Sequence, residues 1–363
     1  MLRWVRIWSV CVVCGLGSVA VDAADAQGLR IVGWDSGAAT GYLDNRLSWW
    51  MDWPTAARDH GTFCVSCHTV APYALGRTAL RGAASPGLVE MRLLANIERR
   101  VIAWDEVEPF YSDEQFRVGK TIQSRGTEAI LNALILANRD AGSGLFAGST
   151  RQALDNLWTL QDTSGAEAGS WPWLDFQLEP WETQSARYYG AALAAVAVGL
   201  VPNGYAALSQ NRARVARLRE YLRSHVDSQH LFNRVTALWA STTLPQTLTA
   251  KQRSAIGDEV IRLQREDGGW SLASLGMFAR RDGTPIHTES DGYATGLVTY
   301  ALQLSGLVVA GDSRLERGLA WLRAHQAEDG SWPASSLNRE RDPTSDRGRF
   351  MRDAATAYAV LAL

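Results

Sequence analysis

Cysteine is scarce in this chain. Four occur in 363 residues, and two of them, Cys11 and Cys14, lie in the apolar start. That leaves Cys64 and Cys67 as the cysteines of the folded part. Charge of one sign is also lacking: 36 Lys and Arg stand against 38 Asp and Glu, a net charge of −2. No basic face stands out, so the composition offers nothing for nucleic acid to bind. A long apolar run is missing after the first 26 residues, and crossing a bilayer takes about 20 such residues. The whole chain is 46% hydrophobic and 20% charged, the composition of a folded chain with a sizeable core.

The start of the chain reads as a secretory signal peptide over residues 1–26. Arg3 and Arg6 supply the positive end, Ile7 to Val21 the apolar run, and Ala24-Asp25-Ala26 or Val21-Asp22-Ala23 the small residues for cleavage. An uncleaved anchor is the other reading, but the run is about 15 residues where a span needs about 20. Cleavage predicts an exported or periplasmic protein of residues 27–363 with no transmembrane span.

Phe63-Cys64-Val65-Ser66-Cys67-His68 is the sharpest local signal. Two cysteines two residues apart with an adjoining histidine form the attachment pattern of a c-type haem. The thiols of Cys64 and Cys67 would bond the vinyl groups, and His68 would serve as an axial iron ligand. A zinc site and a Cys64–Cys67 disulfide are the competing readings. For the sixth iron position the candidates are Met351, Met277, Met91, His60 and His287. Met351 leads, because it precedes a terminal helix that would neighbour the first hairpin in a closed ring. Methionine there would suit electron transfer, whereas an open position would suit oxidation chemistry.

A repeat organises the rest. Gln264-Arg265-Glu266-Asp267-Gly268-Gly269-Trp270 and Gln326-Ala327-Glu328-Asp329-Gly330-Ser331-Trp332 each follow an amphipathic helix and precede an apolar one. Leu160-Gln161-Asp162, reaching Gly169-Ser170-Trp171, is a longer version. Arg214 to His225 with Leu231 to Thr242, and Leu93 to Trp104 with Gly126 to Ala137, are degraded units. Ala57 to Phe63 aligns on Gln264 to Trp270, which puts Cys64, Cys67 and His68 in the loop of the first hairpin. Glycine ends each outer helix, and tryptophan packs on the helix ends. Apolar second helices must line a common interior, so an all-α ring with inner and outer layers is predicted.

These turns resemble the QW repeats of the squalene–hopene cyclase and prenyltransferase superfamily. The resemblance implies an α6/α6 toroid around an apolar central cavity that holds isoprenoid or hopanoid chains. Cyclases of this superfamily carry Asp-x-Asp-Asp-Thr-Ala, and the matching place reads Glu289-Ser290-Asp291-Gly292-Tyr293-Ala294. Glu289 and Asp291 are thus the catalytic candidates, with helix capping as the plainer role for Asp291. The prenyltransferase zinc site, which needs a separate cysteine, cannot be assembled.

Together these readings predict a c-type haem protein on a cyclase-like barrel. It would pass electrons to a redox partner protein or oxidise an apolar, isoprenoid-like ligand. The second reading is a non-redox isoprenoid or hopanoid binder, or a cyclase-like enzyme, with the cysteines in a disulfide or a metal site. Arg339, Arg341, Arg347, Arg349 and Arg352 give the last loop a positive bias, suited to an acidic partner, a haem propionate or plain solvation.

Overall fold

The computed structural model describes residues 33–107 and 116–363. The expected signal peptide at residues 1–26 lies outside them. Among the described residues twelve α-helices form six hairpins: α1 Ser36–Asp52 with α2 Val70–Arg81, α3 Leu88–Ile102 with α4 Arg117–Ala141, α5 Gly148–Thr159 with α6 Ala186–Leu200, α7 Arg212–His225 with α8 Leu231–Thr243, α9 Ala250–Arg262 with α10 Gly292–Ser305, and α11 Ser313–Ala324 with α12 Phe350–Ala362. Even-numbered helices pack side by side in an inner ring, α12 closing it onto α2, while odd-numbered helices lie outside. This is the all-α, α6/α6 toroid.

The sequence makes two layers because the helices differ in polarity. In α6, Ala186-Arg187-Tyr188-Tyr189-Gly190-Ala191-Ala192, nearly every side chain is buried, whereas α7 buries only one stripe of Val215, Leu218, Tyr221 and Leu222. Small residues bring inner helices close. A Cβ at Gly296 would stand 2.6 Å from the Ala359 backbone nitrogen on α12, so that contact requires glycine.

The Gln-Gly-Trp turns clasp each outer helix to the next. Trp171, Trp270 and Trp332 are fully buried, and each indole N–H donates at 2.7 Å to a carbonyl of its own outer helix, at Leu157, Val260 and Leu322. The glutamine reaches outward: Gln161 Nε2 donates to the Arg214 carbonyl on α7 at 3.1 Å and Gln264 Nε2 to the Arg314 carbonyl on α11 at 2.6 Å. Gln326 closes the circle, donating to the Asp35 carbonyl at 2.8 Å and accepting from the Asp35 amide at 2.6 Å. Gly268 and Gly330, at φ 91° and 86°, occupy the left-handed region that favours glycine.

Ring closure is also ionic. Asp353 on α12 accepts from Arg46 Nε at 2.8 Å, Tyr42 Oη at 2.9 Å and Thr69 Oγ1 at 2.7 Å. These three come from α1 and the residue before α2, so the first and last hairpins share one buried carboxylate.

The loops are unequal at the two ends of the ring. Those leading into inner helices are mostly long (53–69, 160–185, 263–291, 325–349), while those leading out are shorter (82–87, 142–147, 201–211, 244–249, 306–312). The long-loop mouth is therefore where a site can be built.

Candidate active site

Inside the mouth the ring is filled by aromatic side chains. Tyr293 stacks on Tyr358 with centroids 5.2 Å apart, and Tyr189 on Phe232 at 5.5 Å. Trp181 lies over them, its indole N–H donating to Tyr293 Oη at 2.9 Å. The resemblance implied an apolar hollow; the tyrosines occupy this level instead.

Loop 160–185 carries a tight hairpin across the mouth. Phe176 N–H donates to the Glu182 carbonyl at 2.9 Å, and Leu178 and Glu182 bond each other's backbone at 2.8 Å both ways. Three neighbours hold it. Asn338 accepts from the Glu179 amide at 2.7 Å and donates to its carbonyl at 2.6 Å. Arg281 donates to the carbonyls of Phe176, at 2.9 Å, and Gln177. Thr127 Oγ1 on α4 accepts from the Leu174 amide at 2.9 Å. Loops 263–291 and 325–349 and helix α4 thus fix a strand of chain with no regular secondary structure of its own.

That hairpin is acidic, and clefts flank it. One of about 540 Å³ is lined by Asp162, Glu167, Trp173, Asp175, Thr183 and Arg187, among others. A second of about 470 Å³ is lined by Asp175, Glu179, Phe278, Arg281 and Asn338. Asp175, Thr183 and Gln184 border both, so the two form one groove over the hairpin. Burial raises the Glu179 carboxyl, a hydrogen bond from Thr183 offsets part of the rise, and the negative charge of Asp175 adds to it. Two carboxylates in one groove, one of them raised mainly by burial, is an arrangement in which a proton donor and a base can coexist. Glu182, on the inner side, is raised to about 7 by desolvation, with Lys120 opposing.

Cys64, Cys67 and His68 come together at the same mouth. Both cysteines are free thiols, and burial raises both, Cys67 strongly. His68 stacks on Phe350 at 3.8 Å and meets Trp50 edge-on at 5.0 Å. Its Nδ1 lies 2.8 Å from Thr69 Oγ1. Because the Thr69 hydroxyl gives its hydrogen to Asp353, it accepts from His68, which places the proton on Nδ1. Burial, then the charge of Arg46, lowers the imidazole to about 3, so it stays neutral.

The other expected residues are dispersed. Asp291 is the α10 cap: Oδ1 accepts from the Tyr293 and Ala294 amides at 2.9 Å each and Oδ2 from Leu272 at 2.5 Å. Burial nonetheless raises it to about 6. Glu289 is exposed and shares with Asp291 a separate cleft of about 300 Å³. Met351 is buried on α12, but Phe350, not Met351, is the α12 side chain stacked on His68. Met277 and Met91 are exposed, His60 pairs with Asp59, and His287 hydrogen-bonds Ser335.

Neither a protein-family model nor a curated protein matches the chain. Solved structures do. The GH76A alpha-1,6-mannanase from Salegentibacter sp. HEL1_6 is similar at 11% identity with a TM-score of 0.54, over 90% of this chain and 99% of that one. An inactive, doubly substituted variant of that mannanase in complex with alpha-1,6-mannotetrose gives the same values. A further structure, of a glycosidase, has a TM-score of 0.47 at 14% identity over 91% and 98%. At such identities the likeness concerns the fold.

Two expectations are thereby corrected. The squalene–hopene cyclase and prenyltransferase resemblance finds no matching family model, and the ring is similar to that of an alpha-1,6-mannanase. The physical reason is visible in the turns: glutamine, glycine and tryptophan clasp neighbouring outer helices, so the repeat encodes the ring and not a ligand. Covalent haem on Cys64, Cys67 and His68, with Met351 opposite, is the second, together with its electron-transfer and oxidation roles. The similar ring is that of a mannanase, Cys67 is buried with Cys64 packed against the core, and Phe350 is stacked on the face of His68. Among the described residues no group of three or more His, Cys, Asp or Glu is arranged to hold a metal ion, so the zinc alternative falls too. The isoprenoid or hopanoid ligand and the redox partner rested on those two readings and have no other support. No described helix is long and apolar enough to cross a membrane.

Proposed function

We propose that this protein hydrolyses glycosidic bonds in a sugar chain laid along the groove over the 175–182 hairpin. Glu179 is the proton donor and Asp175 the carboxylate that acts as base or nucleophile. Glycoside hydrolysis commonly uses two carboxyl groups, one held protonated until the leaving oxygen takes its proton. The observation that carries the reading is the pairing of Asp175 and Glu179 in one cleft, where burial first, and the charge of Asp175 after it, raise the Glu179 carboxyl. A two-lobed groove fits a polymer better than a small metabolite. An exported location, which the leader predicts, would bring the enzyme to polysaccharide. The shared architecture with an alpha-1,6-mannanase makes alpha-1,6-mannotetrose a reasonable first probe.

Asn338 acts as a positioning residue, holding both backbone groups of Glu179. Its substitution should raise KM less than it lowers kcat, because the donor, not the sugar, is displaced. The test of the function is chromatography of oligosaccharides after incubation with the wild type and with Glu179→Gln. Shorter sugars from the wild type, and a loss of about 10²- to 10⁴-fold in the variant, are expected. Equal cleavage by both proteins would remove Glu179 from the chemistry.

A further inference from the structure

The cleft of about 300 Å³ beside Asp291 has an apolar wall of Leu272, Ile286, Ala334 and Leu337, and Ser335 and His287 line it too. Ser335 Oγ lies 3.1 Å from His287 Nδ1, and the other ring nitrogen, Nε2, lies 3.6 Å from Glu340 Oε2. The imidazole thus stands between a hydroxyl and a carboxylate, the order of nucleophile, base and orienting acid that activates a serine.

One buried guanidinium ties the three segments together. Arg280 Nε donates to the Ser336 carbonyl at 2.9 Å, next to Ser335, and Nη1 to the Pro285 carbonyl at 2.8 Å, two residues before His287. Nη1 also pairs with the Glu340 carboxylate. Glu340 is held a second time through its amide, which donates to Asp282 Oδ2 at 2.7 Å. A carboxylate only accepts, so the proton of the His287 ring belongs on Nε2, facing Glu340. That leaves Nδ1 to accept from the Ser335 hydroxyl. Ser224 and His225 make the contrast. They are 3.0 Å apart, but His225 Nδ1 also meets the Tyr221 carbonyl at 2.9 Å, so it carries the proton and cannot act as a base.

We infer that Ser335 as nucleophile and His287 as base, with Glu340 positioning the ring, hydrolyse a short-chain carboxylic ester whose acyl group enters this cleft. The inference goes beyond the glycosidase reading and does not rest on it. Ser335 Oγ bonds to the ester carbonyl carbon as His287 Nδ1 takes its proton. The imidazolium so formed faces Glu340 and returns that proton to the departing alcohol. Water, giving a proton to the same nitrogen, then breaks the acyl–serine bond; the carboxylic acid leaves and the Ser335 hydroxyl is restored. Among the described residues no protein group accepts from the amides of Ser335 and Ser336, so these N–H groups remain for the oxyanion.

The test is labelling of the intact protein with a fluorophosphonate, mapped by peptide mass, beside turnover of p-nitrophenyl acetate, butyrate and decanoate. A single adduct on Ser335 is expected, with acetate and butyrate turned over faster than decanoate. Ser335→Ala should abolish the adduct, and His287→Gln should slow labelling and turnover by about 10²-fold or more. Glu340→Gln should lower kcat and leave KM in place, because the ring and not the ester loses its partner. Ser224→Ala should change nothing. Labelling separates chemistry at Ser335 from the slow ester cleavage that any exposed histidine gives. No adduct on Ser335, labelling as fast in His287→Gln, or turnover unchanged in Ser335→Ala overturns the inference. Decanoate as the best substrate overturns the short acyl group, and a change in KM alone overturns the part of Glu340. Neither Asp175 nor Glu179 enters this assay, so its failure leaves the glycosidase reading untouched.

Discussion

Removing the charge of Asp353 should open the ring at its seam. The carboxylate is buried and receives hydrogen bonds from Arg46 (Nε at 2.8 Å, Nη2 at 3.2 Å), Tyr42 and Thr69. In Asp353→Asn the Arg46 guanidinium, 5% exposed, keeps only Asp346, which is 47% exposed. Breaking a buried pair costs about 3–5 kcal/mol, and the surviving Asp346 contact puts the expectation near the lower figure. Against a typical total of about 5–15 kcal/mol that is a large fraction. Urea denaturation followed by tryptophan fluorescence reads it directly, since Trp49 and Trp50 adjoin the seam. Combining Asp353→Asn with Arg46→Met should recover about 1–3 kcal/mol, because the stranded charge leaves too. A single-variant loss below about 1 kcal/mol, with no coupling to Arg46, would mean that packing of α12 on α2 closes the ring and the carboxylate does not.

Glu182 gives a pH-dependent expectation. Its folded pKa is raised to about 7 from 4.5, so the folded state holds the proton more tightly than the unfolded chain does. Stability from this group is full below pH 4.5 and is lost as pH rises to 7. Glu182→Gln should therefore gain about 1–3 kcal/mol at pH 8 and almost nothing at pH 4; a gain at pH 4 equal to that at pH 8 would refute it. Trp270→Phe removes the indole N–H bound to the Val260 carbonyl, and a loss of about 1–3 kcal/mol is expected in the same urea assay. An unchanged midpoint would show that the indole bond is dispensable to the clasp.

The ring was legible because its signals are local and repeated. Amphipathic stripes predicted α7 and α8 to within about two residues of their observed ends, and the Gln-Gly-Trp turns marked the hairpins at α5, α9 and α11. The ligand was not legible from those turns. Gln326 reaches Asp35, a contact between residues nearly at opposite ends of the described chain, and nothing in a linear pattern says whether such a glutamine serves a substrate or a neighbouring helix. Asp175, Glu179 and Glu182 were missed for another reason. They stand in an irregular segment, Asp175-Phe176-Gln177-Leu178-Glu179-Pro180-Trp181-Glu182, whose shape comes from Asn338, Arg281 and Thr127 far away in sequence. The one available sign was three acids among aromatics inside an expanded turn. Cys64-Val65-Ser66-Cys67-His68 drew attention because it is compact, yet its thiols face the core and its histidine is stacked on Phe350. Asp291 illustrates the plainer outcome: a residue at a catalytic-looking position that holds three backbone amides as a cap.

The most direct test of the central claim is reducing-end release from a panel of neutral and anionic polysaccharides by the wild type, Asp175→Asn, Glu179→Gln and Glu182→Gln side by side. The account predicts that at least one polymer is cleaved, that the Asp175 and Glu179 variants lose about 10²-fold or more, and that Glu182→Gln retains activity. Cleavage undiminished in the Asp175 and Glu179 variants, or no cleavage of any glycan by the wild type, would contradict it.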